Sequence, residues 1–557
     1  MSQAPQTALQ RYKARRDGKP VGPPIAEPAA PRSGPPTARL WLRLAVLLTA
    51  VAVLAVAVLA VLPGGPPPVD LTYAIDLGEA PRGSLIVTVG MTGDLPRELE
   101  LAFATGIFGD AGNGVHPHSP TAGALDPDGR LLRTLPVERS GEGWVLATGG
   151  AGRVAFTYRV DLARTTGQEP DIRRHISTPV AGGLRAAGYE VFLAPVGVEV
   201  QDITVTITNP AELSVLVPWP SLVKGVLAAR ARPDSLAKAH LGAGQGYLPA
   251  GPPPPPAAAG DAPAALTAVP AASRQYHPRN LQDLGNALLV CGDIRIASTD
   301  VRGCTIQYAT DRRWRFPDAE ALDLVRRIAR TQIGFFGSAP ASPITVLLGA
   351  NEVTAADGFD VYGVHTGSSI LVLIDADATW GELEERAASV ISHEMFHGWL
   401  GEAIPQSDPA TLWFTEGATT WFAARMLTAA GIWSPELARR TLEARLDRDY
   451  RANPLLGRMS VATAAAGVMA EAGQVRFAYA GGVAVCMALD QWLGTASGLD
   501  RPLDAVLRRL YETRGDEPLS RASLEAAIHA VTGVDCGWWL DEHVYGKTAL
   551  PPSDRVI

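Results

Sequence analysis

Between about residues 70 and 312, apolar and polar positions alternate with period 2. The runs SLIVTV (84–89), LELAF (99–103), WVLAT (144–148), RVAFTYRVDL (153–162), YEVFLAPV (189–196) and ITVTITN (203–209) follow this pattern. Gly, Pro and Asp separate the runs, as in the turn Asp126-Pro127-Asp128-Gly129. Short alternating runs between turn residues predict an all-β, sandwich-like domain. After Trp314 the period changes. Asp318 to Phe335 carries apolar residues at helical spacing with acids in its first turn, which predicts a helix opening a second domain, 313–557. Two apolar β-type runs follow, ITVLLG (344–349) and SILVLID (369–375), and then mostly helical patterns through Val483 to Leu493 and on to the C-terminus. A small sheet leading into a helix-rich half is an α+β arrangement.

One apolar stretch has no polar face at all. Leu44 to Leu62 (LAVLLTAVAVLAVAVLAVL) is uncharged, with Arg43 before it and Pro63-Gly64-Gly65-Pro66 after it. As a helix it would be about 28 Å long, close to the thickness of a bilayer core, so a single transmembrane helix is expected. A cleaved signal peptide is the alternative, but the run exceeds the roughly 7–15 residues of such a segment and no A-x-A cleavage site follows. Residues 1–43 carry eight Lys/Arg and two acids, and the Pro-, Ala- and Arg-rich tail shows no periodicity, which predicts a disordered cytoplasmic segment. By the positive-inside rule the remainder lies outside the membrane.

The net charge of −8 therefore divides into +6 on the tail and −14 on the body, which excludes nucleic acid as a partner of the body. A chain of 557 residues gives a prior of about three to four domains; the patterns instead apportion it to a tail, an anchor and two large domains. The Pro/Ala-rich stretch 249–270 cannot form a core and reads as a loop within the β domain, 70–312. The four cysteines, Cys291, Cys304, Cys486 and Cys536, match no C-x-x-C pattern, so a metal must be held by other ligands. Outside the membrane Cys291 and Cys304 could pair, or both could be buried thiols.

The chemistry concentrates in GELEERAASVISHEMFHGWLG (381–401). Its His393-Glu394-Met395-Phe396-His397 is an H-E-x-x-H motif. Histidines at i and i+4 share one helical face, so both imidazoles can reach a single Zn²⁺ while Glu394 stands beside a metal-bound water. A catalytic zinc needs a third protein ligand and an open position. Glu416, nineteen residues beyond His397 in TLWFTEGATTWFAARML (411–427), sits on a second predicted helix able to lie alongside the first. Trp413, Phe414, Trp421 and Phe422 are at helical spacing and read as core or pocket wall.

H-E-x-x-H followed by this glutamate within W-F-T-E-G resembles the gluzincin zinc metallopeptidases. Within that clan, Trp399 and the segment YAGGVAVCMALDQWL (479–493) resemble the glycyl aminopeptidase family, as do the C-terminal WWLDEHVYGKTALP (538–551) and the order of the N-terminal strands. The resemblance implies a thermolysin-like catalytic domain, one Zn²⁺ per chain on His393, His397 and Glu416, Glu394 as general base and Tyr479 as donor to the oxyanion. It implies a peptide or protein substrate and a membrane-anchored peptidase facing the periplasm or exterior. Family members often continue into a PDZ domain; this sequence ends at Ile557, so no PDZ-mediated partner is expected. The family's G-G-x-E-H segment corresponds to VYGVHTGSS (361–369), with Val364 where a glutamate would bind a substrate amine and His365 in the histidine slot. That departure keeps two alternatives beside an aminopeptidase: an endopeptidase acting on envelope peptides, and a catalytically silent scaffold that binds partners through its β domain.

Overall fold

In the strand Val69–Asp76, burial alternates residue by residue: Leu71, Tyr73 and Ile75 are buried while their neighbours face solvent. This is the period-2 pattern of a strand with one covered face. In the computed structural model it lies in a seven-stranded sheet ordered Ser273–Tyr276, Val200–Thr208, Val69–Asp76, Ser84–Thr92, Arg153–Asp161, His118–Leu125 and Leu131–Leu135. Two four-stranded sheets bury their apolar faces in the same core, one through Leu99, Leu146 and Leu193 and the other through Leu184 and Leu289. The structure describes residues 68–550 apart from 105–116, 142, 163–175, 220–272, 352–360, 368, 468–471 and 516. The tail 1–43, the apolar run 44–62 and the loop 249–270 lie outside the described residues. Among the described residues, no helix is long and apolar enough to cross a membrane.

Two buried tyrosines tie the sheets together. Tyr73 donates its hydroxyl to Leu193 O at 2.8 Å, and Tyr158 donates to Val191 O at 2.7 Å while accepting from Leu193 N. The segment 189–196, expected as one strand, instead makes a helical turn (Gly188–Val191) before the short strand Leu193–Pro195. The reason is tertiary. Gly188 N donates to Ala287 O, and the backbone there approaches Leu284 O so closely that a Cβ would lie 2.0 Å from it.

The second domain is built on a five-stranded sheet: β1 (Arg295–Val301), β2 (Cys304–Thr310), β3 (Ile344–Asn351), β4 (Val361–Thr366) and β5 (Ser369–Asp375), in the order β1-β2-β3-β5-β4. The β1–β2 hairpin corrects the expected boundary at 312. Its period-2 pattern suits the β domain, but β2 pairs in parallel with β3 (Ile306↔Ile344), and Ile306 and Tyr308 bury in the second domain's core. One face of the sheet carries α1 (Asp318–Phe336), α2 (Ala388–Phe396) and α3 (Leu412–Ala429), with Trp399, Trp413 and Trp421 buried among them. The other face meets the β domain through Leu347, Leu371 and Leu373 against Tyr189, Leu288 and Val290. Beside that seam Arg185 reaches Asp311 at 3.2 Å, an ion pair buried on both sides. Cys291 and Cys304 are free buried thiols in different cores, and burial pushes the Cys291 thiol up to about 11.

Candidate active site

The segment leading into α2 starts at Thr379, whose hydroxyl accepts from Glu382 N while the Glu382 carboxylate accepts from Thr379 N, a capping box. One π turn, Leu383–Ala387, then leads into α2. α2 presents His393 and His397 one turn apart, with their Nε2 atoms 3.0 Å apart. The helix ends at His397, where Gly401 (φ +136°) turns the chain back so that Leu400 O accepts from His397 Nδ1 at 3.0 Å. A carbonyl can only accept, so this bond keeps the proton on Nδ1 and leaves Nε2 as a lone-pair donor. His393 is oriented by Thr420, whose hydroxyl lies 3.3 Å from Nδ1.

Glu416 comes from α3. Its Oε2 is buried, has no hydrogen-bond partner, and lies 3.3 Å from His393 Nε2 and 3.5 Å from His397 Nε2. All three ligand atoms fall within 4.8 Å of one another. Donor atoms at about 2.0–2.2 Å from one tetrahedral zinc sit roughly 3.3–3.5 Å apart, so an unsatisfied carboxylate oxygen facing two Nε2 lone pairs fits Zn²⁺. Tyr479 lies on α5 (Ala472–Ser497) and lines the same cavity; burial first, then the charges of Glu416 and Glu394, hold that phenol well above its ordinary pKa. α3 and α5 can approach this closely because Gly417 meets Gly482: a Cβ on Gly417 would lie 2.2 Å from the Gly482 carbonyl carbon.

Burial opposes charge on His397, but Glu416 and Glu394 outweigh it and raise its pKa to about 9. Glu416 is likewise opposed by burial yet held far below the carboxylate range by His397 and His393. Burial raises Glu394 above its ordinary value, against the pull of His393 and His397. His393, Glu394 and Tyr479 line a cavity of about 790 Å³. The edge strand β4 forms part of its wall, and Gly363 packs so closely on α2 that a Cβ would lie 2.3 Å from Val390 Cγ1 and 2.8 Å from Glu394 Cγ.

This placement revises the reading of VYGVH. Val364 turns to the opposite face and packs with Leu347 and Leu371, so it occupies no amine-binding position. His365 packs behind His397, with ring centroids 6.4 Å apart. Burial first, then His397, lowers its pKa to about 3, so it stays neutral. It is not among the three clustered ligands. The sequence reading missed Gly363 and Gly417. A glycine inside a strand or beside a ligand was the available signal for close approach.

A sheet carries the H-E-x-x-H helix, and the next helix supplies the third residue of a cluster able to hold one metal ion. Residues 345–532 match the profile of the "Peptidase family M1 domain". Among curated proteins, "Aminopeptidase M1" of Arabidopsis thaliana is 28% identical over 105 residues, and "Aminopeptidase M1-C" of Oryza sativa subsp. japonica is 25% identical over 105 residues. In each case the match covers 18% of this chain and spans only 12% of the relative's length. The fold is similar to an aminopeptidase N family protein of Idiomarina loihiensis, with a TM-score of 0.62 and 17% identity over 86% of this chain and 77% of that one. It is also similar to an M1 zinc metallopeptidase of Deinococcus radiodurans, with a TM-score of 0.51 and 15% identity over 88% and 96%.

Proposed function

We propose that this chain is a zinc-dependent peptidase of aminopeptidase type, held at a membrane by residues 44–62 with its catalytic domain outside. The cluster of His393, His397 and Glu416 beside the cavity that holds Glu394 carries the peptidase reading. Its aminopeptidase form is supported by the relatives; the anchor and its orientation rest on the apolar run and the basic tail before it.

Zinc held by the three ligands would supply Lewis acidity and acidify water. Glu394, with its carboxylate basicity raised by burial, takes the water's proton and returns it to the leaving amine. Tyr479 donates its O–H toward the oxygen that becomes negative in the tetrahedral intermediate. As the end strand of its sheet among the described residues, β4 gives an extended substrate backbone a strand to pair with, beside Gly363. Glu394→Gln is expected to lower kcat by about 10²–10⁴-fold while one zinc per chain remains by elemental analysis. Undiminished turnover would overturn the assignment.

A second reading, endopeptidase, is favoured by β4: its cavity-lining residues Val361, Tyr362 and Gly363 supply no carboxylate for a substrate amine. Peptides with free and acetylated N-termini separate the two. An aminopeptidase cleaves only the free form.

A further inference from the structure

The cavity is basic away from its metal ligands. Arg386, Arg440, Arg445 and Arg448 line it against two carboxylates, Glu385 and Glu394, among the described residues. These cations are not equivalent. Arg448 is neutralised by Asp449, with hydrogen bonds of 3.0 and 2.7 Å, and Arg440 is exposed to solvent.

Arg445 is different. It closes α4 (Pro435–Arg445), is half-buried, and its Nη1 has one hydrogen bond, 3.4 Å to the Thr420 hydroxyl that also orients His393. Among the described residues no carboxylate lies within salt-bridge range of it. Asp449, one turn further along, is already engaged by Arg448. Burial lowers the pKa of this guanidinium, Asp449 partly offsets that, and the field of Tyr479 and Glu416 reaches it. A partly desolvated guanidinium with no carboxylate in direct contact is costly to maintain, and its planar donor fork matches a carboxylate. The cavity is where that carboxylate can enter.

We propose that Arg445 is a specificity-determining residue that binds a carboxylate of the peptide substrate, making this an enzyme for acidic or short peptides. The inference rests on the peptidase reading above. Two sources share the chemistry: an acidic side chain beside the scissile bond, or the C-terminal carboxylate of a di- or tripeptide.

The test uses four tripeptides of one sequence, with Glu or Gln beside the scissile bond and a free or amidated C-terminus. Binding is measured by calorimetry to full-length, zinc-loaded Glu394→Gln protein, and kcat/KM is measured on the wild type. The carboxylate-bearing member of a pair is expected to bind about 10–100-fold tighter, the range of a charge-assisted hydrogen bond. A Glu/Gln difference identifies the side chain as the source, and an acid/amide difference identifies the C-terminus. In Arg445→Met, which keeps the aliphatic stem, that ratio should fall to about twofold or less, and Arg445→Lys should restore part of it. Equal binding of all four peptides to the wild-type cavity, or an equal loss for all four in Arg445→Met, overturns the proposal. A carboxylate preference in binding with no hydrolysis of any peptide overturns the peptidase reading and leaves the Arg445 assignment standing.

Discussion

His397 illustrates how one side chain couples metal, proton and fold. Without metal its pKa of about 9 lies above the ordinary value of 6.5. The charged His397–Glu416 pair therefore stabilises the metal-free protein fully below about pH 6.5 and loses that contribution as pH rises through about 9. Chelator-treated protein is expected to lose up to about 3 kcal/mol between pH 6.5 and 9.5, read from denaturant midpoints; His397→Gln should flatten that dependence. Because zinc must displace the same proton, zinc affinity should rise over the interval, with protons released on binding. Gly363 makes a separate prediction. A methyl group there would meet Val390 Cγ1 and then Glu394, displacing the base, so Gly363→Ala is expected to lower kcat by about tenfold or more while leaving zinc stoichiometry at one. Unchanged kcat would show that Glu394 has room to move.

At the scale of elements, the site depends on two helices meeting at glycine. Glu416 precedes Gly417 on α3, and Tyr479 lies one turn before Gly482 on α5. Gly417→Ala would insert a methyl group where the Gly482 backbone now lies, and overpacking of this kind costs about 1–3 kcal/mol. The expected outcome is a lowered midpoint together with a fall in kcat larger than the change in zinc affinity, because Tyr479 moves away from the cluster. The H-E-x-x-H pair was legible in the sequence because i and i+4 geometry is local to one helix. The distance from Tyr479 to Glu416 was not legible, because it depends on how closely α3 and α5 pack. Nor was Arg445: nothing in the helical pattern of 435–445 marks a residue that faces a cavity rather than solvent.

For the whole molecule, the β domain and the catalytic sheet share an apolar seam with the Arg185–Asp311 pair beside it. Arg185→Met leaves Asp311 buried without that partner, and breaking a buried pair in this way costs about 3–5 kcal/mol. Thermal or denaturant unfolding should show that loss for the folded body, and a shift below about 0.5 kcal/mol would mean the pair is dispensable. The period-2 and helical patterns determined which segments become strands and helices. They also determined the spacing of His393, Glu394, His397 and Glu416, because those features need only the chain's own backbone geometry. Tertiary structure decided the rest: that the hairpin 295–310 joins the second domain's sheet, that 188–191 turns helical, that Val364 points away from the site, and that Gly363, Tyr479 and Arg445 share a cavity with His393 and Glu394. A periodic pattern states that a face will be buried but carries no information about which distant segment will cover it.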